Sequence, residues 1–190
     1  MTRLGPLDPE TMDEVLKKEY ESLVRNRGVP EGGIFGGPFD GWLRSPELCH
    51  EMRVFGGMLW NKTSLDQAVG EFAMATTAAF WHSNVDWSHA GRAVELGIDQ
   101  SVLDAVQAGQ RPTTDRQDVL VVYDLAQAFL QNKSLSEALY QRALGHLGER
   151  GIVEVAELVG YYTMIAFTTR AFDVEPAEGR ARPFARPDEV

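Results

Sequence analysis

Cysteine is nearly absent from this chain: Cys49 stands alone. That excludes an intramolecular disulfide, an all-cysteine zinc site and a Cys-x-x-Cys redox pair, and Cys49 itself reads as a small buried apolar residue. Basic residues are scarce as well. Lys and Arg number 18 against 28 Asp and Glu, for a net charge of -10, and they form no cluster. A chain so charged repels phosphate backbones and anionic bilayers, so neither nucleic acid nor membrane is expected as a partner. No apolar run approaches the ~20 residues of a membrane span. The most apolar stretch, Leu158 to Thr169, lies between Glu157 and Arg170 and reads as a buried helix. No basic-then-apolar leader is visible, and a cytoplasmic address is the expectation. Strict apolar/polar alternation is also missing, which argues against strands.

What is present is helical punctuation. A chain of 190 residues can bury roughly 70% of its unfolded surface in one core. The expectation is therefore a single domain over 1–190, with its core at about 35–172 and an irregular Pro-, Arg- and Ala-rich tail over 173–190. About seven or eight helices fit. Asp8-Pro9-Glu10 reads as the start of a helix that Gly28 closes, and Ser45-Pro46-Glu47 starts a second, to about Asn61. Thr63, Ser64 and Asp66 open a third, Ser83 or Asn84 a fourth that ends at Gly97, and Asp99 a short fifth. Thr113 or Thr114 caps the next, to about Asn132. Ser134-Leu135-Ser136-Glu137 has capping-box spacing, and the last helix runs from about Val153 to Phe172. The Gly-rich loop from Gly28 to Gly41 interleaves Ile34, Phe35 and Phe39 with six glycines. Without a terminal Lys-Ser/Thr it is no phosphate loop; it reads as a cover over a cavity or an oligomer contact.

The chemistry-bearing stretch runs from Glu71 to His89. Glu71 is the only ionisable residue between Asp66 and His82, inside a helix that is apolar or small on every face. A carboxylate there finds a partner or is pushed toward neutral, the condition of a general acid or base. On one straight helix Glu71 and His89 would lie about 27 Å apart. They can cooperate only if the chain breaks near Trp81 to Asn84, and that break is the expectation. Phe80, Trp81 and Trp87 would then form an aromatic wall, with indole N–H groups in search of acceptors. His82, His89 and Glu71 are spaced by seven and eleven, unlike the usual helical ligand pairs, so no metal is expected.

The order of these residues resembles the carboxymuconolactone decarboxylase and alkylhydroperoxidase-D-like superfamily. That signature places Glu about a dozen residues before Cys-x-x-Cys-x-x-x-His, in a helix closed by glycine. Here His89-Ala-Gly-Arg-Ala-Val-Glu-Leu-Gly-Ile98 resembles its end, and the two cysteine positions fall on His82 and Val85. The stretch from Trp81 to His89 is similar to a cysteine-free branch. Ser45-Pro46-Glu47-Leu48 and Leu158-Val159-Gly160-Tyr161-Tyr162 also look like the family.

The resemblance implies an all-α, compact orthogonal bundle and a homo-oligomer, whether dimer, trimer or hexamer. Met52, Phe55, Met58, Leu59 and Trp60 give the second helix surplus apolar surface in the same sense. Thiol peroxidase chemistry is not available without the cysteine pair. What the resemblance leaves is a cofactor-independent decarboxylase or lyase acting on a small conjugated carboxylic acid or carboxylated lactone. His89 would be the chief acid/base, Glu71 its tuning partner and His82 the residue that positions substrate. Trp81, Trp87, Asp86, Asn84, Phe39 and Tyr161 are the expected substrate-facing residues. A ligand-binding helical oligomer without turnover and a lactone hydrolase or isomerase are the alternatives.

Overall fold

The computed structural model describes residues 2–132 and 134–185. Among them every regular element is helical: α1 (Glu14–Arg27), α2 (Phe39–Trp42), α3 (Pro46–Asn61), α4 (Gln67–Phe80), α5 (Ser88–Glu95), α6 (Gln100–Gln107), α7 (Gln117–Gln127) and α8 (Glu137–Ala171). The all-α expectation holds. Several boundaries differ from the sequence reading, each for a local reason. Asp13, not Asp8, caps α1 by accepting from Leu16 N; Asp8 instead holds a turn through Glu10 N. Ser136, not Ser134, caps α8 through Leu139 N. The seventh helix begins after Arg116, whose backbone N–H donates to the Thr114 hydroxyl, and it gives way to a π turn at Ala128–Asn132. The two helices expected from the capping box and from about Val153 are the two parts of α8, divided at Gly148, which takes a φ of 66°; the second part therefore starts a few residues earlier than expected.

α4 is the axis of the core. Every residue from Ala68 to Ala79 is buried, and α5, α6, α7 and α8 pack around it. Asp66 starts it by accepting from Val69 N. Its all-apolar surface explains its central place, since a helix with no polar face must be covered on all sides. Phe72 is fully buried there, and truncation to Ala would cost about 3–5 kcal/mol.

The chain does turn back where the functional reading requires it. His82 adopts φ 49°, His82 N donates to Ala79 O and Ser83 N to Ala78 O at 2.8 Å. This paired closure is the Schellman ending, normally built on glycine. Ser83 then starts a new turn, accepting from Asp86 N and donating its hydroxyl to Asp86 Oδ2 at 2.6 Å, before α5 proper begins at Ser88. Gly97 closes α5 in the same fashion, as the sequence suggested.

The tail over 173–185 is not loose. Phe184 is buried, and Asn84 holds its backbone from both sides. Residues 186–190 of the expected tail lie outside the described residues. The Gly28–Gly41 loop is pinned by buried Asp40, which accepts from Phe35 N and Gly36 N.

Candidate active site

Three helices converge on one imidazole. α4 contributes Glu71, α5 presents His89 in its first turn, and α8 brings Tyr162. Glu71 Oε2 lies 2.6 Å from His89 Nδ1, and the Tyr162 hydroxyl 3.0 Å from His89 Nε2. Glu71 is 1% exposed and the His89 side chain 14%. Burial first, and then the carboxylates of Asp86 and Glu71, raise the Tyr162 phenol well above its ordinary pKa. The phenol therefore keeps its proton and donates to Nε2, which leaves the imidazole N–H on Nδ1 to donate to Glu71. The result is a directed line: Tyr162 O–H to His89 Nε2, then His89 Nδ1–H to Glu71. Glu71 Oε1 has no hydrogen-bond partner among the described residues. The rings of Tyr162 and Trp60 stand edge-on to the imidazole, at 4.9 and 5.9 Å, and fix its plane.

His89 and Tyr162 face a cleft of about 940 Å³. Asp86, Phe39 and Tyr161, all expected from sequence, line it too. Burial pushes the Asp86 carboxyl up to about 6, against the opposing pull of the Ser83 hydroxyl and of His89, so it titrates near neutrality beside the imidazole. The glycine-rich loop does form part of this wall, through Gly37, Pro38 and Phe39. Gly56 is required here: a Cβ at that position would come within 2.1 Å of the Tyr161 hydroxyl, which donates to Met52 O.

Other expected residues are placed elsewhere. His82, the left-handed cap, is exposed and stacks flat on Phe184 at 5.2 Å, so it does not share the cleft with Glu71 and His89. The Trp81 indole spends its N–H on Thr163 Oγ1 at 3.0 Å and packs edge-on against Phe167. Trp87 and Asn84 face a neighbouring cleft of about 770 Å³, where Trp87 abuts Phe184. The reversal at His82 turns His82, Asn84 and Trp87 toward Phe184 of the tail, whereas Trp81 ends α4 against α8.

Tyr162, Trp60, Trp42 and Arg27 also line the cleft, and sequence reasoning did not single them out. Tyr162 had a legible signal, since a phenol inside the most apolar helix needs a partner when buried. Among the described residues no group of three or more His, Cys, Asp or Glu side chains is placed to hold a metal ion. Cys49 is fully buried on α3, and burial pushes its thiol up to about 12, far from a reactive thiolate.

The arrangement of helices matches solved structures. An alkylhydroperoxidase AhpD core protein from Ralstonia eutropha, itself an uncharacterized peroxidase-related protein, superposes with a TM-score of 0.72 at 11% identity, over 93% of each chain. The chain has the alkylhydroperoxidase-D fold. An uncharacterized peroxidase-related protein from a Silicibacter species has the same fold (TM-score 0.69, 14% identity, 93% of each chain). So does a debrominase solved in complex with 2,3,4-tribromopyrrole, at TM-score 0.63 and 14% identity, over 94% of this chain and 92% of that one. No family model matches the sequence, and no curated protein matches it. At these identities the likeness establishes the alkylhydroperoxidase-D fold and nothing about substrate.

Proposed function

We propose that this protein is an acid–base enzyme of the lyase type, which moves a proton on a small conjugated carboxylic acid or carboxylated lactone without a thiol nucleophile. The observation that carries the reading is the hydrogen-bonded line from Tyr162 through His89 to the buried Glu71, whose Tyr162 and His89 members face a cleft. Loss of carbon dioxide from such an acid leaves its electron pair in a dienolate. When His89 is protonated its Nε2–H donates to the Tyr162 oxygen, which frees the Tyr162 hydroxyl to stabilise that charge and to deliver its proton to carbon as the imidazolium replaces it. Glu71 holds the imidazole in one tautomer and balances the imidazolium as it forms. Asp86, partly protonated near neutrality, is a nearby proton source that can reload the imidazole.

Incubating the full chain with a panel of carboxylated lactones and conjugated acids in heavy water tests this. Release of carbon dioxide with deuterium on the new C–H bond, lost in His89→Gln, is the expected result. A native protein that turns over no member of the panel, or a His89→Gln variant that matches the native one, refutes the reading.

Self-association belongs to the same proposal. Leu48, Val54, Met58 and Trp60 on α3, with Val153, Met164 and Phe167 on α8, leave large apolar side chains exposed, and a second copy of the chain is the natural cover. Light scattering that reports a monomer contradicts it.

A further inference from the structure

The cleft in front of His89 contains two arginines in different states. Arg53 is committed: it pairs with Glu19 and donates to the Ser22 hydroxyl at 3.2 Å. The Arg27 guanidinium makes no hydrogen bond or ion pair among the described residues. Its guanidinium carbon sits 3.9 Å from the centre of the Phe39 ring, so the flat cation lies against the loop that walls the cleft. Several arginines of this acidic chain find carboxylates, Arg111 and Arg142 at Asp124, Arg116 at Asp118 and Arg150 at Glu154, and Arg44 finds backbone carbonyls; Arg27 is the one that lines the cleft of His89 with its guanidinium against an aromatic ring. Partial desolvation, and then the Arg53 cation, push the Arg27 pKa below its usual value, while the residue as a whole keeps contact with solvent at the cleft. An arginine stays ionised regardless.

The surroundings define what could supply the missing negative charge. Trp42 stands edge-on to Phe39 at 5.7 Å and tilted to Tyr161 at 6.1 Å, and these three rings line the same cleft as Arg27 and His89, giving it an aromatic wall. We propose that Arg27 is the anion-receiving group of this cleft, and that its ligand is a small, flat, conjugated molecule bearing one carboxylate. The guanidinium fork takes the two carboxylate oxygens side by side, and the aromatic wall takes the body. The inference rests on the proton-transfer reading for its substrate class and adds the residue that holds the charge. A purely structural role is the competing explanation, because Arg27 is in the last turn of α1, where a cation favours the helix end. That role predicts altered melting and unaltered ligand binding.

The test uses the full chain with benzoate as the probe and benzamide as its neutral match, followed by tryptophan fluorescence and by the Arg27 Nε–H and His89 ring signals in NMR. Saturable benzoate binding that shifts the Arg27 Nε–H is expected, with benzamide binding at least about tenfold weaker. Arg27→Gln should weaken benzoate by about ten- to a hundredfold and leave benzamide unchanged. Arg27→Lys should recover part of the loss. If Arg27→Gln does not fold, the benzoate preference and the Nε–H shift of the native protein decide the matter. No saturable benzoate binding, equal binding of benzamide, or benzoate binding indifferent to Arg27→Gln overturns the proposal. Benzoate held at Arg27 in a protein that leaves every carboxylated lactone unreacted keeps the anchor and sinks the proton-transfer reading. Turnover that survives Arg27→Gln with an unchanged KM does the reverse.

Discussion

His82 and His89 are seven residues apart, on either side of one turn, and they have become different kinds of residue. His89 is clamped between Glu71 and Tyr162 at the inner end of a cleft, with both ring nitrogens engaged. His82 is the exposed left-handed cap of α4, its ring laid flat on Phe184 of the tail. One imidazole is positioned for proton transfer and the other completes a helix ending. The difference teaches that residue type and spacing nominate a site, while the hand of a single φ angle decides which side chains reach it.

The comparison predicts its own largest effect. His89→Gln should lower kcat/KM on a responsive carboxylated lactone by about 10²–10⁴, whereas His82→Gln should leave turnover near the native value. Steady-state kinetics on the two variants checks this, and equal losses would erase the distinction. Glu71→Gln should cost about 10²-fold in the same assay, because it removes the negative charge that holds the Nδ1–H tautomer and lets an amide N–H face Nδ1 instead. Nitrogen-15 NMR of the His89 ring should show that tautomer lost, with the His82 signal unmoved.

On the tail side, Phe184→Ala should destabilise the fold by about 3 kcal/mol, the low end for a buried Phe in a segment free to relax. Denaturant unfolding measures it, and the His89 ring should be undisturbed. Asp86 sits between the two regions and gives a pH-dependent effect. Its folded pKa of about 6 lies above the ordinary 3.8, so the native state holds that proton more tightly than the unfolded chain. The stability that goes with it is fully present below about 3.8 and is lost as pH rises through about 6, at most about 3 kcal/mol. Asp86→Asn should therefore be more stable than the native protein at pH 8 and no more stable at pH 4, as thermal melts at both values would show. His82→Gly should have the smallest effect, within about 1 kcal/mol. Relief of left-handed strain offsets the lost stacking on Phe184.

Much of this was legible beforehand because it depends on local chemistry. Asp66, Ser45-Pro46 and Gly97 marked helix ends correctly, and the all-apolar run around Glu71 announced a central helix with a buried acid. The break after Phe80 could be inferred because Glu71 and His89 had no other way to meet. Arg27 was not legible as a site residue, and Tyr162 was legible only as a phenol in need of a partner, since they come from α1 and α8 and nothing in their own segments says which neighbour they will face. Trp81 looked like a pocket wall until Thr163 proved to be its acceptor.

The sequence by itself determined the class of fold, the lack of a cysteine pair and the identity of the buried acid, because composition, periodicity and capping act over a few residues along the chain. Only the tertiary structure decided that His89 faces the cleft, that His82 faces the tail and that Arg27 lines the same cleft as His89. Those outcomes depend on how helices distant in sequence pack around α4, and on a left-handed turn at a residue that is not glycine.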